Sequence, residues 1–299
     1  MSFTPIALFA YKRPDHLRQV LTGLRANPEA SETQLYVFSD GALGEEDRSK
    51  VESVRKLIGE IDGFAQVKLI ARNANRGLAK SIIDGVGAVL EAHGRVIVVE
   101  DDLVVSPFFL RYMNEALDLY ADDRQVASVH GYVYPVKGEL PETFFLRGTD
   151  CWGWGTWARA WQLFEPDGAK LLAELRRRGL TRAFDLDAAY PYTKMLEDQI
   201  AGNNDSWAIR WHAAAFLADR LTLYPGRSLV QNIGNDASGT HSGMTETYSV
   251  TYSEGPIKVS RLPLEENAKA RASFVRFGRA RKNGLKTRLI RRIRTLMRF

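Results

Sequence analysis

Three consecutive carboxylates, Glu100, Asp101 and Asp102, follow the apolar run Val96-Ile97-Val98-Val99. Held that close together at the end of a buried strand, they repel one another unless a cation compensates them. A divalent ion bound through one or two carboxylates and completed by substrate phosphate oxygens is the usual solution for Mg2+ or Mn2+. A solvated acidic turn is the plainer reading. Other residues with chemical capacity also follow short apolar runs. Tyr11, Lys12 and Arg13 come after the first run. Asp40, followed by the turn-permitting Gly41, comes after the second, where its carboxylate can accept the N–H of a pyrimidine ring or cap a turn. Arg76 and Lys80 flank Gly77 at the start of a helical pattern, which suits a diphosphate or is a solvated helix start. Later in the chain, Asp205 opens Asp205-Ser-Trp-Ala-Ile-Arg-Trp211 and reads either as a reactive carboxylate or as a helix N-cap. His241 sits in a Gly/Ser/Thr loop, either as a ligand or as a surface residue.

The elements that must position these groups are legible up to about residue 135. Runs rich in β-branched and aromatic residues at 5–11, 34–39, 67–71, 96–99 and 126–129 alternate with helical patterns at 15–26, 45–61, 78–92 and 107–120. That alternation implies right-handed βαβ units and a parallel sheet. Such a sheet binds its ligands at the carboxyl ends of the strands, where the residues above lie. The middle of the chain differs. All six Trp fall between Trp152 and Trp211, and short strands are expected at 221–224 and 228–233. Asp150, Trp152 and Trp154 form a candidate platform for a sugar, while the helical spacing of Trp157 and Trp161 places those two in a core.

Composition bounds the rest. One cysteine, Cys151, excludes an internal disulfide framework and points to a reducing compartment. No run is long and apolar enough to cross a membrane, and the first residues read as a buried strand rather than a signal peptide. Twelve of the 41 Lys and Arg lie from Asn267 onward with no acidic residue among them, which leaves a body of 29 basic against 36 acidic residues. Apolar Leu285, Leu289, Ile293, Leu296 and Met297 recur within that tail. A basic amphipathic helix over 270–299 that lies on an anionic membrane surface is expected, rather than a nucleic-acid partner.

The ordered set FAYKRP, SDG, NRGLAK, VVEDD, GWGTW, NDSWAIRW and GTHSG resembles the GT-A glycosyltransferases. It is most similar to bacterial family-2-type sugar transferases that share features with N-acetylglucosaminyltransferase I. The resemblance spans roughly residues 5–243. It implies an α/β fold with a mostly parallel, Rossmann-like sheet flanked by helices, followed by the helical tail. It divides the chain into a transferase domain over 1–265, with a nucleotide-sugar half to 135 and an acceptor half from 136, and a membrane-associating tail over 266–299.

The implied activity is inverting, metal-dependent transfer of a hexosyl or N-acetylhexosaminyl group. The donor would be a nucleotide sugar, UDP-linked by preference, and the acceptor a glycan or lipid-linked hydroxyl, at the inner face of a bacterial membrane. By the match, Tyr11 stacks on the base, Asp40 takes the uracil N–H, and Arg13 contacts the nucleotide. Arg76 and Lys80 meet the diphosphate, Glu100 belongs to the acidic motif, Asp101 faces the ribose and Asp102 binds Mn2+ or Mg2+. His241 is a further metal ligand and Asp205 the catalytic base, with Asp198 of the Glu197-Asp198 pair as its competitor. The Gln-x-x-Arg-Trp motif of processive synthases is absent, because position 207 is Trp. Two rival readings are a sugar-1-phosphate nucleotidyltransferase, whose Gly-rich N-terminal loop is missing here, and a non-catalytic membrane-binding module.

Overall fold

The computed structural model describes residues 3–236 and 246–296, with the side chains of the C-terminal helix described as far as Lys282. The strands are β1 (Ile6–Ala10), β2 (Gln34–Ser39), β3 (Gln66–Ala71), β4 (Arg95–Glu100), β5 (Leu103–Val105), β6 (Val126–His130), β7 (Thr143–Arg147), β8 (Trp154–Trp157), β9 (Leu221–Pro225) and β10 (Val230–Asn232). The helices are α1 (Pro14–Arg25), α2 (Glu45–Gly59), α3 (Leu78–His93), α4 (Phe109–Leu119), α5 (Ala158–Trp161), α6 (Gly168–Arg177), α7 (Thr181–Phe184), α8 (Tyr192–Ile200), α9 (Trp207–Leu217) and α10 (Ala268–Leu296).

The main sheet has eight strands in the order β3-β2-β1-β4-β8-β6-β9-β7. Strands β3, β2, β1, β4, β6 and β9 run one way, and β8 and β7 run against them. The sheet is thus mostly parallel and flanked by helices, as the alternating pattern predicts. A parallel strand covered on both faces has no polar side to show, and β1 is buried at every position while β4 is buried at Val96, Ile97, Val98 and Val99. Edge strand β3 instead exposes half or more of its side chains.

Local chemistry starts and ends the helices that hold this half together. In α1, Pro14 stands in the first turn, where a missing N–H costs nothing, and Leu17, Val20, Leu21 and Leu24 face the sheet. In α3, the chain leaves through Gly94 in the left-handed region (φ 75°), whose N–H bonds to the Leu90 carbonyl at 2.8 Å. Gly85 lets α3 lie close on the sheet, since a Cβ there would meet the Phe9 ring at 2.7 Å. Phe9 stacks on Phe38 with centroids 5.0 Å apart.

Helices α6 to α9 pack beside the second half of the sheet around their own small core of Leu171, Leu172, Leu175, Phe184, Leu196, Ile209 and Phe216. Their link to the main core is aromatic. Trp207 and Trp211 of α9 lie 5.4 and 6.4 Å from Trp154, and Trp161 adds to the group. Trp157 is also buried and donates its indole N–H to the Leu117 carbonyl at 3.1 Å, so Trp157 and Trp161 are core, as their spacing predicts.

Helix α10 begins just past residue 266, where the sequence places the boundary between domain and tail. Its opening turns belong to the body, with Ala270, Phe274 and Val275 all buried. Phe274 packs on Tyr134, Phe144 and Tyr224, and Arg271 pairs with Asp187 at 2.7 Å. The helix reads as basic because cations crowd the sequence, yet Ala270, Phe274, Phe277 and Gly278 recur on one helical face and that face is docked. The side chains of Leu285, Leu289, Ile293, Leu296 and Met297 lie outside the described residues.

Candidate active site at the carboxyl edge of the sheet

The parallel strands deliver their carboxyl ends to one edge. Arg13, three residues beyond β1, reaches across to the end of β4. Its Nε bonds to Asp101 Oδ1 at 3.0 Å, its Nη2 also contacts that oxygen, and the same Nη2 lies 3.0 Å from Asp102 Oδ2. The Tyr11 backbone N–H adds a bond to Asp101 Oδ2 at 3.1 Å. Asp101 is buried, and its carboxyl is raised above the usual range by desolvation, against which Arg13 acts. Glu100 is pushed up to about 8, first by burial and then by repulsion from Asp102 and Asp101. The acidic motif is therefore a largely buried cluster compensated by Arg13, and not a solvated turn.

The segment after β10 closes on the same point. Gly234 passes so near Asp102 Oδ2 and Arg13 that a Cβ there would collide with both. Beyond it, His16 Nε2 meets Asp236 Oδ2 at 3.1 Å. His241 lies outside the described residues. Among the described residues no three His, Cys, Asp or Glu side chains are gathered as a preformed metal cage. What the strand end offers is Asp102 with half-buried Glu100 beside it. That donor set suits an ion that keeps most of its shell as water and substrate oxygens, as Mg2+ and Mn2+ at phosphate sites do.

Asp40 takes a different role from the one its motif implies. Its carboxylate accepts the backbone N–H groups of Gly41, Arg76 and Gly77 at 2.9 to 3.1 Å and is 7% exposed. It ties the end of β2 to the loop before α3, as the turn-capping reading expects, and most of its acceptor capacity is engaged by backbone. Gly77 adopts φ 77° in that loop, which favours glycine. The side chains of Arg76 and Lys80 both point to Asp84, at 3.4 and 3.0 Å, on the exposed first turns of α3. Tyr11 is also more constrained than a free stacking ring. Its hydroxyl donates to Asp47 Oδ2 at 2.7 Å and accepts the Leu43 N–H, and burial followed by the Asp47 bond pushes its pKa up to about 12.

The opposite wall comes from the second half. Strand β8 is antiparallel to β4 with Trp154 opposite Val98, which sets residues 150–153 beside the acidic strand end. The Cys151 thiol registers this placement: burial raises its pKa most, and Asp150, Glu100 and Asp102 all add to the rise. Asp150 accepts the Tyr134 hydroxyl at 3.1 Å, and His130, neutral because it is buried, accepts the Trp152 N–H at 3.0 Å. Trp152 remains half-exposed among Tyr132 and Tyr248. The pairing of Trp152 with Trp154 as a sugar platform is corrected here. Trp154, the first residue of β8, is fully buried with its ring in the tryptophan core, whereas Trp152 precedes the strand in a bend that turns at Gly153 (φ 66°).

Asp205 lies two residues before Trp207, which stacks on Trp154 in the tryptophan core. Its side chain is 71% exposed, with Arg210 Nη2 at 3.6 Å. The N-cap of α9 is Ser206, which accepts the Ile209 N–H at 3.2 Å, so Asp205 is released from capping. Its competitor Asp198 is held on α8 by Lys194 and by Asn203, and those bonds lower its pKa.

Several neighbours of the site carry no motif. Tyr134, Tyr190 and Tyr248 line the wall beside Trp152, and Arg281 of α10 lies over Tyr190 and Tyr248. The tyrosines were visible only as a scatter, and Arg281 as one cation in a basic tail. The sequence matches no protein family profile and no curated protein sequence. Among solved structures the chain is similar to the crystal structure of S. aureus TarS 1-349, at 10% identity and a TM-score of 0.41. The match covers 76% of this chain and spans 60% of that one.

Proposed function

We propose that this chain is a glycosyltransferase that moves a sugar from a nucleotide-sugar donor to a hydroxyl of a glycan or lipid-linked acceptor, with inversion, in surface polysaccharide synthesis. One observation carries the reading. The compensated acidic end of β4 lies beside residues 150–153 at one sheet edge, which supports a charged donor and a second substrate meeting there.

Asp102 and Glu100 would hold Mn2+ or Mg2+, which when bound offsets negative charge on a diphosphate. Arg13 contributes fixed positive charge at the same place, and Arg76 and Lys80 would add theirs from the start of α3. Asp205 takes the proton of the acceptor hydroxyl as its oxygen attacks the anomeric carbon. The new C–O bond forms on one face as the bond to the diphosphate breaks on the other, and the electron pair leaves with the nucleoside diphosphate. The exposed carboxylate of Asp205, released from capping α9, is consistent with a base in such a single displacement.

The commitment of Asp40 to backbone removes the reason to prefer uridine, so the base is left open between UDP and GDP. Residues 283–299 carry six Lys and Arg and no acid, which supports attachment to an anionic membrane surface by that stretch rather than by the whole of 270–299. The direct test is nucleoside diphosphate release from a panel of UDP- and GDP-sugars with Mn2+ or Mg2+. Release with none of them, in the presence of mixed glycan acceptors, would refute the proposal.

A further inference from the structure

Arg281 is an unusual cation for this surface. Among the described residues no carboxylate pairs with it, whereas Arg271, ten positions earlier on the same helix, meets both Asp187 and Glu266. Its guanidinium lies 5.2 Å from the Tyr190 ring centroid and 5.8 Å from that of Tyr248, and one Nη donates to the Tyr248 hydroxyl. Its Nε is buried without a hydrogen-bond partner. So is the hydroxyl of Tyr190, a residue only 5% exposed. Two orphaned buried donors, one of them cationic, therefore converge on one corner. Buried polar groups are rarely left unpaired without a reason, because each costs on the order of 1–3 kcal/mol.

The corner is joined to the wall already described through ring contacts. Tyr248 bridges to Trp152 at 5.6 Å, and Trp152 stands beside the acidic strand end. The carboxylate nearest this wall, Asp150, is engaged by Tyr134. Burial raises the pKa of Tyr190, so its phenol remains a neutral donor at ordinary pH.

We infer that Arg281, Tyr190 and Tyr248 form an oxyanion subsite, and that with the half-exposed face of Trp152 they select a sugar carrying a phosphate or a carboxylate as the acceptor. A guanidinium fork with a neighbouring hydroxyl donor matches a phosphate or a carboxylate, and the indole supplies a face for the ring. The assignment to the acceptor rests on the transferase reading; the subsite itself does not.

The test needs no turnover. The full chain is titrated with glucose 6-phosphate, glucuronate and glucose, and binding is read from tryptophan fluorescence and from saturation-transfer NMR. At least one of the two anionic sugars is expected to bind at least tenfold more tightly than glucose, and the tighter of the two names the oxyanion. Arg281→Gln should lose that preference, and Tyr190→Phe should weaken it severalfold with an unchanged melting temperature. Tyr190→Phe decides the matter if Arg281→Gln does not fold. Equal binding of all three sugars by the wild-type chain, or an undiminished preference in the folded variants, overturns the subsite. Nucleoside diphosphate release by the wild-type chain is measured separately. Its absence would remove the transferase reading and leave the binding result standing.

Discussion

Replacing Phe274 by alanine separates the two halves of the C-terminal helix. The ring is 2% exposed and lies 5.1 Å from Tyr134, 5.7 Å from Tyr224 and 6.1 Å from Phe144, measured between centroids. Three aromatic neighbours on a rigid sheet edge leave little room for collapse into the space vacated. The cost should fall in the usual range for a buried Phe→Ala change, about 3–5 kcal/mol. For a chain of this length each kcal/mol moves the melting temperature by about 2 °C, so a drop of roughly 6–10 °C is expected. Truncation after Lys282 removes none of these contacts and should melt with the full-length protein. Truncation after Asn267 removes Ala270, Phe274 and Val275 together with the Arg271–Asp187 pair, and should melt lowest of all. Thermal unfolding followed by circular dichroism measures all four proteins. A Phe274→Ala protein that melts within 1 °C of wild type, or a truncation after Lys282 that melts as low as it does, would refute the docking argument.

The same reasoning makes further claims. Chelation by EDTA should abolish nucleoside diphosphate release, with Mn2+ or Mg2+ restoring it, and Asp102→Asn should not be restored; full activity in chelator removes the metal role of Asp102. Asp205→Asn should lower kcat by about 10²-fold, the scale of a lost general base, with donor binding by calorimetry retained. Asp198→Asn should remain near wild type, and the reverse pattern shows that the base lies on α8. Asp40→Ala leaves buried N–H groups without an acceptor and should cost about 2–4 kcal/mol, while preference among UDP- and GDP-sugars stays as it was. A change of base preference at constant stability would return Asp40 to the nucleotide.

The parallel half was readable because its strands are covered on both faces, and a run such as Val96-Ile97-Val98-Val99 has few other folded uses. Strands β7 and β8 gave no such signal. In β8, Gly155 sits between indoles, and the position of the strand is set by pairing with β4 and β6, which lie far from it in sequence. The acidic strand end was legible as a site, but its counter-ion was not, since Arg13 and Asp101 are joined only when β1 and β4 become neighbours. Asp40 misled for the same reason: its partners Arg76 and Gly77 lie in the next βα connection, and a motif does not report which of its groups are already engaged. In α10 the apolar face was present in the sequence, but the cations around it suggested a membrane where the first partner is the protein itself.

The order in which the chain is made gives the docked helix another meaning. The side chains that compensate the acidic strand end, Tyr11 and Arg13, precede residue 106, whereas β8, the segment around Gly234 and finally α10 come later. At the usual pace of synthesis, about 5–20 residues per second, Arg281 is added roughly 10–35 s after Val105. During that interval a nascent chain holds strands β1 to β4 and the Arg13–Asp101 pair, yet it lacks the wall that α10 completes. On the transferase reading proposed above, transfer would wait until α10 has left the ribosome and docked. A chain interrupted anywhere before that point would carry the acidic strand end without its opposite wall.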